Sequence, residues 1–337
     1  MRCPFASMLI AEIGPSMGIS VELEPEFQFA GELIFPGGRR HLFRNTNFNV
    51  NPAGSTEIAK DKGYTSFFLR KHGLNVPTNK AFFSEKLNAN LPAARRRGVT
   101  EAIQFAEHIG FPVFVKPNNL SQGTLVTKAY LPSDISSAAL QIFERTDVLL
   151  VEEACRGRDY RIVILGEKII SAYERIPLAV VGDGKNSIDK LLQLSKEQLE
   201  HLGRPNSEIA PSDTRIDIKL RELRKTRNTI PETGERIVLL DSANLSTGGT
   251  SVDVTDAIHA SFADISITAT KTLGLQLCGV DILCDDITQS ASDQEWNIIE
   301  LNAAPGLDNY SALGAEQAGR VKSLYRQILE YLAILNV

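Results

Sequence analysis

The sequence predicts an α+β (α/β) fold in which two or three subdomains surround one cleft, behind a short N-terminal lead-in. Three observations predict it. The chain has 337 residues, too many for one small core. Helical and strand periodicities alternate along it. Near the C-terminus, two apolar strand segments, Cys278-Gly279-Val280-Asp281-Ile282-Leu283 and Ile298-Ile299-Glu300-Leu301-Asn302, carry polar groups that can face one another.

Composition narrows the class. With 43% hydrophobic and 23% charged residues, the chain reads as soluble and globular. A formal charge of −5 argues against nucleic acid or an anionic membrane as partner, so an anionic ligand must be met by local basic groups. The cysteines, Cys3, Cys155, Cys278 and Cys284, lack the close pairing of a zinc site and read as free thiols in a reducing, cytoplasmic setting. Pro4, Glu12 and Pro15 interrupt the N-terminus before a signal-like run develops, and no stretch is long enough to span a bilayer.

Residues 1–54 form the lead-in, with strand candidates at Glu26–Phe29 and Glu32–Phe35 around the turn Pro36-Gly37-Gly38. From Ser55 a helix with an apolar face runs to its stop at Gly73. A second helix, from about Gly98 to His108, leads into a strand at 111–117, a polar loop at 118–124 and a return strand at 125–127. A helix at 133–144 precedes a buried strand at 147–153, and 159–165 with 168–175 read as consecutive antiparallel strands ending at the turn Gly182-Asp183-Gly184. An amphipathic helix (186–202), a polar connection (203–214), a basic helix (216–227), a strand (237–240), a helix (255–273) and a closing helix (315–334) complete the chain.

Glu300 and Asn302 are two residues apart on one strand, so both side chains point one way, and Asp281 can meet them from the neighbouring strand. Such oxygens suit a hard divalent cation such as Mg²⁺, which borrows further ligands from nucleotide phosphates. The competing reading is a hairpin with surface acids; the aliphatic neighbours weigh against it, because an unpaired buried charge is costly. Lys62 and Lys116 are candidate phosphate clamps or else solvated lysines, and Ser121 and Gly123 lie in a loop able to close over phosphates.

Other positions stay open between two readings. The loop from Asn244, with Ser246, Gly248 and Gly249, is an anion site or a hairpin turn. Glu152, Glu153 and Asp159 meet an adenine edge and a ribose hydroxyl, or form a solvated strand end. Arg175 grips a carboxylate or a phosphoryl group bidentately, or pairs with Glu174 or another neighbour. The basic helix carrying Lys219, Arg221, Arg224, Lys225 and Arg227 is a solvated face or a lure for an anionic substrate. The histidines form neither a metal-spaced pair nor a Ser-His-Asp set.

Taken in order, FPVFVKP (111–117), VEEACRGRDYRIVIL (151–165), ERIPLAVVGDGKNSI (174–188), NLSTGGTSVDVTD (244–256), GVDIL and IIELNAAPG resemble the ATP-grasp superfamily over about Ser55 to the C-terminus. The likeness extends to the ATP-grasp domain of cyanophycin synthetase and its glutathione-synthetase-like relatives. It implies two α+β subdomains enclosing a nucleotide cleft: an ATP-grasp domain at 55–337, with a lid-like subdomain over about 98–170 and a metal-binding subdomain over about 171–337. It further implies that Lys62 and Lys116 hold the ATP phosphates, backbone near Glu152 and Glu153 meets adenine, and Asp159 holds ribose. Asp281, Glu300 and Asn302 would bind two Mg²⁺ ions, with Mn²⁺ as a substitute, and Arg175 with the Asn244–Gly249 loop would lie over the γ-phosphate and an acyl phosphate.

The chain departs from the resemblance at the loop after Lys116, which is poorer in glycine, and in its short lead-in. No Mur-ligase-like domain follows, so a complete cyanophycin synthetase is not expected. The implied activity is ATP-dependent joining of a carboxylate and an amine on amino-acid or short-peptide substrates. A kinase that stops at a phosphorylated product and a non-catalytic nucleotide-binding module are the alternatives. Homodimerisation is expected by analogy alone.

Overall fold

Phe5, Leu9, Ile10 and Ile13 recur at helical spacing and form one stripe of α1 (Phe5–Ile13), which packs on the C-terminal helix. The structure, a computed structural model, describes residues 3–120, 123–201 and 213–334; Ser121 and most of the connection expected at 203–214 lie outside the described residues. After α1 the lead-in is an antiparallel meander of β1 (Ser20–Leu23), β2 (Ala30–Ile34), β3 (Arg40–Arg44) and β4 (Asn47–Phe48). The strand expected at Glu26–Phe29 is instead the turn between β1 and β2. The Glu24 carboxylate closes it by accepting the backbone N–H groups of Glu26, Phe27 and Gln28 at 2.6, 2.8 and 3.0 Å.

The single helix expected from Ser55 to Gly73 is two, α2 (Ala53–Lys60) and α3 (Lys62–Lys71). Asp61 breaks it by turning extended and accepting the Tyr64 N–H at 2.8 Å, the interaction of an N-cap. Lys62 is thereby set in the first turn of α3. The chain continues through β5 (Asn79–Phe83), α4 (Glu85–Ala89), α5 (Val99–Ile109), β6 (Val113–Pro117), β7 (Thr127–Ala129), α6 (Pro132–Phe143) and β8 (Val148–Glu153). Their strands form one antiparallel sheet in the order β5-β8-β6-β7. Val113 and Val115 enter a core with Phe82, Ile135 and Leu149, so the alternation of β6 turns Phe114 and Lys116 to the opposite face.

The remaining strands belong to other sheets. They are β9 (Arg158–Leu165), β10 (Lys168–Ile176), β11 (Ala179–Val181), β12 (Arg236–Val238), β13 (Thr250–Asp253), β14 (Leu277–Cys284) and β15 (Trp296–Asn302). The helices among and after them are α7 (Ile188–His201), α8 (Thr214–Glu222), α9 (Ala260–Thr272), α10 (Asp308–Ser311) and α11 (Ala315–Ile334). A five-stranded antiparallel sheet runs β13-β10-β9-β14-β15, while β11 and β12 pair separately and share a small core with α7 and α8. The basic helix stops at Glu222, and Arg224 takes a left-handed φ of 56° just beyond it. The strands change sheets between Glu153 and Arg158, so the lid boundary expected near residue 170 falls inside β10.

Both faces of the five-stranded sheet are covered. Ile162, Ile164, Val280 and Ile282 meet α9 through Phe262 and Ala269, and Val163, Leu165, Tyr173 and Leu277 share a core with α1, the lead-in sheet and α11. The lead-in is therefore packed against β9, β10 and β14, the last of which carries Asp281. Asn51 reinforces this: its amide donates to the Leu277 and Ala303 carbonyls at 2.8 Å each and accepts the N–H groups of Gln276 at 2.7 Å and Leu277 at 3.0 Å. Replacing Asn51 by leucine strips partners from these backbone groups, and should lower stability by about 2–4 kcal/mol. Urea unfolding measures this; a loss below about 0.5 kcal/mol would show that the lead-in is not tied to β14 through this side chain.

Candidate functional site

A cavity of about 870 Å³ opens between the four-stranded and five-stranded sheets, within the range of small-molecule sites. Lys62, Lys116, Arg175, Asn244, Asp281 and Glu300 all line it. Residues from five distant stretches of sequence thus meet in one cleft, together with the apolar side chains of Phe114, Leu283 and Ile299.

Strand register explains the polar floor. Arg161 of β9 lies opposite Tyr173 of β10 and Asp281 of β14, and Asp281 lies opposite Glu300 of β15, so these four side chains form one row. Asp159 lies opposite Arg175 on the same face. The Arg161 guanidinium donates Nε to Asp281 Oδ1 and Nη2 to Oδ2, both at 2.7 Å. Arg175 Nη2 donates to Asp281 Oδ2 at 2.8 Å and to Asp159 Oδ1 at 2.7 Å. Its Nη1 reaches Asn244 Oδ1 at 3.4 Å.

Asp281 is 1% exposed. Burial by itself would push its carboxyl up, but the charges of Arg161 and Arg175, with their hydrogen bonds, hold it below the usual carboxylate range. Asp159 goes the other way: burial raises it despite the neighbouring Arg175. Of the two readings open for Arg175, the ion pair is the one present. Its partners are Asp159 and Asp281, whereas Glu174 pairs with Arg158 at 3.2 Å. Asp159, expected near a ribose hydroxyl, turns Oδ1 to Arg175.

The lysines are buried rather than solvated. Lys62 Nζ donates to the Leu120 carbonyl at 2.8 Å and stands 3.3 Å from Glu300 Oε1; Lys116 Nζ donates to Glu152 Oε1 at 2.5 Å. Glu153 is exposed and accepts the Thr78 N–H at 3.2 Å. The linker after it lines the cavity and includes Cys155, whose thiol is pushed up to about 12 by burial and by the charges of Glu153 and Glu152. That thiol stays protonated and is no nucleophile at neutral pH.

The Asn244–Gly249 loop closes on itself. The Asn244 carbonyl accepts the backbone N–H groups of Thr247 and Gly249 at 3.2 Å, and a Cβ on Gly249 would lie 2.7 Å from the Ile176 carbonyl oxygen. This packing buries Gly248 and Gly249, and of Asn244, Ser246, Gly248 and Gly249 the cavity is lined by Asn244. Gly123 comes close enough that a Cβ there would strike the Asn244 amide, and its carbonyl accepts Arg215 Nη1 at 2.7 Å. The basic helix spends its charge internally: Lys219 pairs with Asp241 at 2.8 Å and Arg221 with Asp134 at 2.9 Å.

The donor set fits a hard divalent cation. Asp281 and Glu300 face each other, and Asn302, opposite Gly279, has its amide oxygen 3.1 Å from the Ala304 N–H. Among the described residues no three His, Cys, Asp or Glu side chains form a ready metal cage. A cation here would have to rely on two carboxylates, one amide and oxygens brought by its ligand, as Mg²⁺ does in nucleotide sites.

Sequence reasoning passed over Arg161, the residue that grips Asp281 most fully. Its signal was available, since two-residue spacing from Asp159 on a strand puts it on the same face. Arg161→Gln leaves a buried carboxylate short of its counter-charge, and the variant should lose about 3–5 kcal/mol at pH 7. In the parent, the depressed Asp281 contributes stability above the unfolded carboxylate range that is lost as pH falls through its folded value. In the variant that carboxyl is raised, so the stability gap should narrow as pH is lowered toward 4. Urea unfolding at several pH values checks the sign, and a gap independent of pH would contradict this account.

The family model described as D-ala D-ala ligase C-terminus matches residues 68–185, and the RimK-like ATP-grasp domain matches 241–323. The chain is 28% identical over 256 residues to the bifunctional glutathione biosynthesis protein of Clostridium perfringens, covering 74% of this chain and 31% of that protein. It is 29% identical over 284 residues to cyanophycin synthetase of Geminocystis herdmanii, covering 80% of this chain and 30% of that one. The chain thus spans about a third of the length of these relatives. A crystal structure of a bifunctional glutathione synthetase from Pasteurella multocida aligns with a TM-score of 0.57 at 23% identity, covering 97% of this chain and 44% of that one, and shows the shared fold. Motif order, cleft and matched segments agree in making the chain similar to the ATP-grasp superfamily.

Proposed function

We propose that this chain is an ADP-forming, ATP-dependent carboxylate–amine ligase that joins amino-acid or short-peptide substrates through an acyl phosphate. The observation that carries this reading is the convergence of Lys62, Lys116, Arg175, Asp281 and Glu300 on one cleft. The similarity of the chain to a glutathione biosynthesis bifunctional protein and to a cyanophycin synthetase supports it. The four free cysteines favour a reducing, cytoplasmic setting.

In this reading the adenine lies between the Glu153–Gly157 linker and the apolar side chains of Phe114, Leu283 and Ile299. Lys62, Lys116 and Arg175 neutralise the phosphate chain. A substrate carboxylate oxygen attacks the γ-phosphorus, ADP departs, and an amine then adds to the acyl carbon and expels phosphate. Bound Mg²⁺, as two ions or with Mn²⁺ in its place, supplies charge stabilisation on the phosphoryl oxygens. Glu300, Asn302 and Asp281 would hold it. Positioning and electrostatics do most of what phosphoryl transfer requires, which suits a cleft rich in fixed charges and with its one thiol protonated.

Amino acids and dipeptides should be screened for substrate-dependent phosphate release, with mass spectrometry of the product. The ligase reading expects one ADP and one phosphate per amide formed, and a hydroxamate when hydroxylamine replaces the amine. Lys116→Met should lower turnover by about 10²-fold or more. ATP consumption that yields a stable phosphorylated product without any amine would favour the kinase alternative.

A further inference from the structure

Each cation on the phosphate side of this cleft is held by an acid, and two of those acids lie on the metal side. Lys62 Nζ stands 3.3 Å from Glu300 Oε1, and Arg175 Nη2 stands 2.8 Å from Asp281 Oδ2. Both pairs are largely shielded, with side-chain exposures of 8% and 29% for the first and 5% and 1% for the second. The two pairs link the same two ligands, since one half of each pair faces phosphate and the other half faces the cation.

We propose that these cross-pairs make nucleotide and divalent cation bind cooperatively, by exchange of ion-pair partners. This rests on the ATP-dependent reading given above. A phosphate arriving alone meets lysine and arginine already neutralised, and it must also approach the carboxylates that neutralise them. A cation arriving alone meets Asp281 with guanidinium groups on both oxygens. When the two arrive together, phosphate takes Lys62 and Arg175 while the cation takes Glu300 and Asp281. Every charge is then paired before and after, and neither ligand has to strand a buried charge. Arg161 keeps its two-point grip on Asp281 and is a positioning residue in the exchange.

By linkage, whatever the cation does for nucleotide affinity the nucleotide must do for the cation. Removing one half of a cross-pair should therefore improve the binding of the other half's ligand when that ligand is alone. A plain ligand residue would not do this.

The test is equilibrium binding without turnover, using a non-hydrolysable ATP analogue in EDTA by calorimetry and Mn²⁺ without nucleotide by electron paramagnetic resonance. Glu300→Gln, nearly isosteric, should bind the metal-free analogue about fivefold tighter than the parent and lose most of the gain that Mg²⁺ brings. Lys62→Gln and Arg175→Gln should each bind Mn²⁺ alone more tightly. Having two such variants keeps the test alive if Arg175→Gln, which also unpairs Asp159, does not fold. In the double variant Lys62→Gln/Glu300→Gln the metal-free gain should disappear, because it depends on the freed lysine.

Glu174→Gln removes the same charge from the same cavity but from a residue that pairs with Arg158, and it should shift metal-free affinity less than twofold. A shift as large as that of Glu300→Gln would reduce the effect to the general field and overturn the proposal. Unchanged or weaker metal-free binding in Glu300→Gln, with the parent still binding the analogue and Mg²⁺, would overturn the exchange alone. Failure of the parent to bind the analogue under any condition would overturn the ATP-dependent reading and the exchange with it.

Discussion

A single buried carboxylate organises the molecule. Asp281 lies in the middle of an apolar strand, flanked by Val280 and Ile282, and is almost fully buried where it meets the cleft. Such a charge is tolerable only when fully paired, and the pairing here comes from two different strands, Arg161 of β9 and Arg175 of β10. The register of three strands must be right for both guanidinium groups to arrive. A one-residue slip of β9 would turn Arg161 to the opposite face, into the apolar core of Ile162 and Ile164. The same acid that makes the sheet demanding to build is the one that faces the cleft.

The cleft also needs its upper wall held at the right distance, and small polar contacts do this. Asn118, just past Lys116, donates its amide to Asp61 Oδ2 at 2.6 Å and accepts the Gly63 N–H at 3.0 Å. The first turn of α3, and with it Lys62, is thereby tied to the strand that carries Lys116. On the far side α8 bridges from the small β11–β12 unit to α6 and the loop before β7, through Arg221 on Asp134 and Arg215 on the Gly123 carbonyl. Of the residues that looked like a basic lure, Arg221 is such a strut.

Charge balance inside the cleft follows from the same economy. Lys62 with Glu300, Lys116 with Glu152, and Arg175 with Asp159 and Asp281 each neutralise locally. A low-dielectric pocket cannot keep that many like charges unpaired. Under the exchange proposed above, a metal–nucleotide complex would replace the partners of Lys62 and Arg175 without leaving Glu300 or Asp281 bare.

Much of this was legible in the sequence. The apolar strand runs at 159–165 and 298–302, helical spacing in 315–334 and the polar interruptions of apolar strands depend only on the chain's neighbours along itself, and they located β9, β15, α11 and the residues Asp281 and Glu300. What local pattern does not contain is who stands opposite whom. The break at Asp61, the turn closed by Glu24, the assignment of β12 to a separate sheet and the capture of Asp281 by Arg161 are all decided by groups distant in sequence or by a side chain competing for the backbone. The amino-acid order determined which faces are apolar and which residues carry charge; only tertiary packing decided which opposite charge each one meets, because pairing in a buried site is set by strand register and by the low dielectric that forbids leaving any member alone.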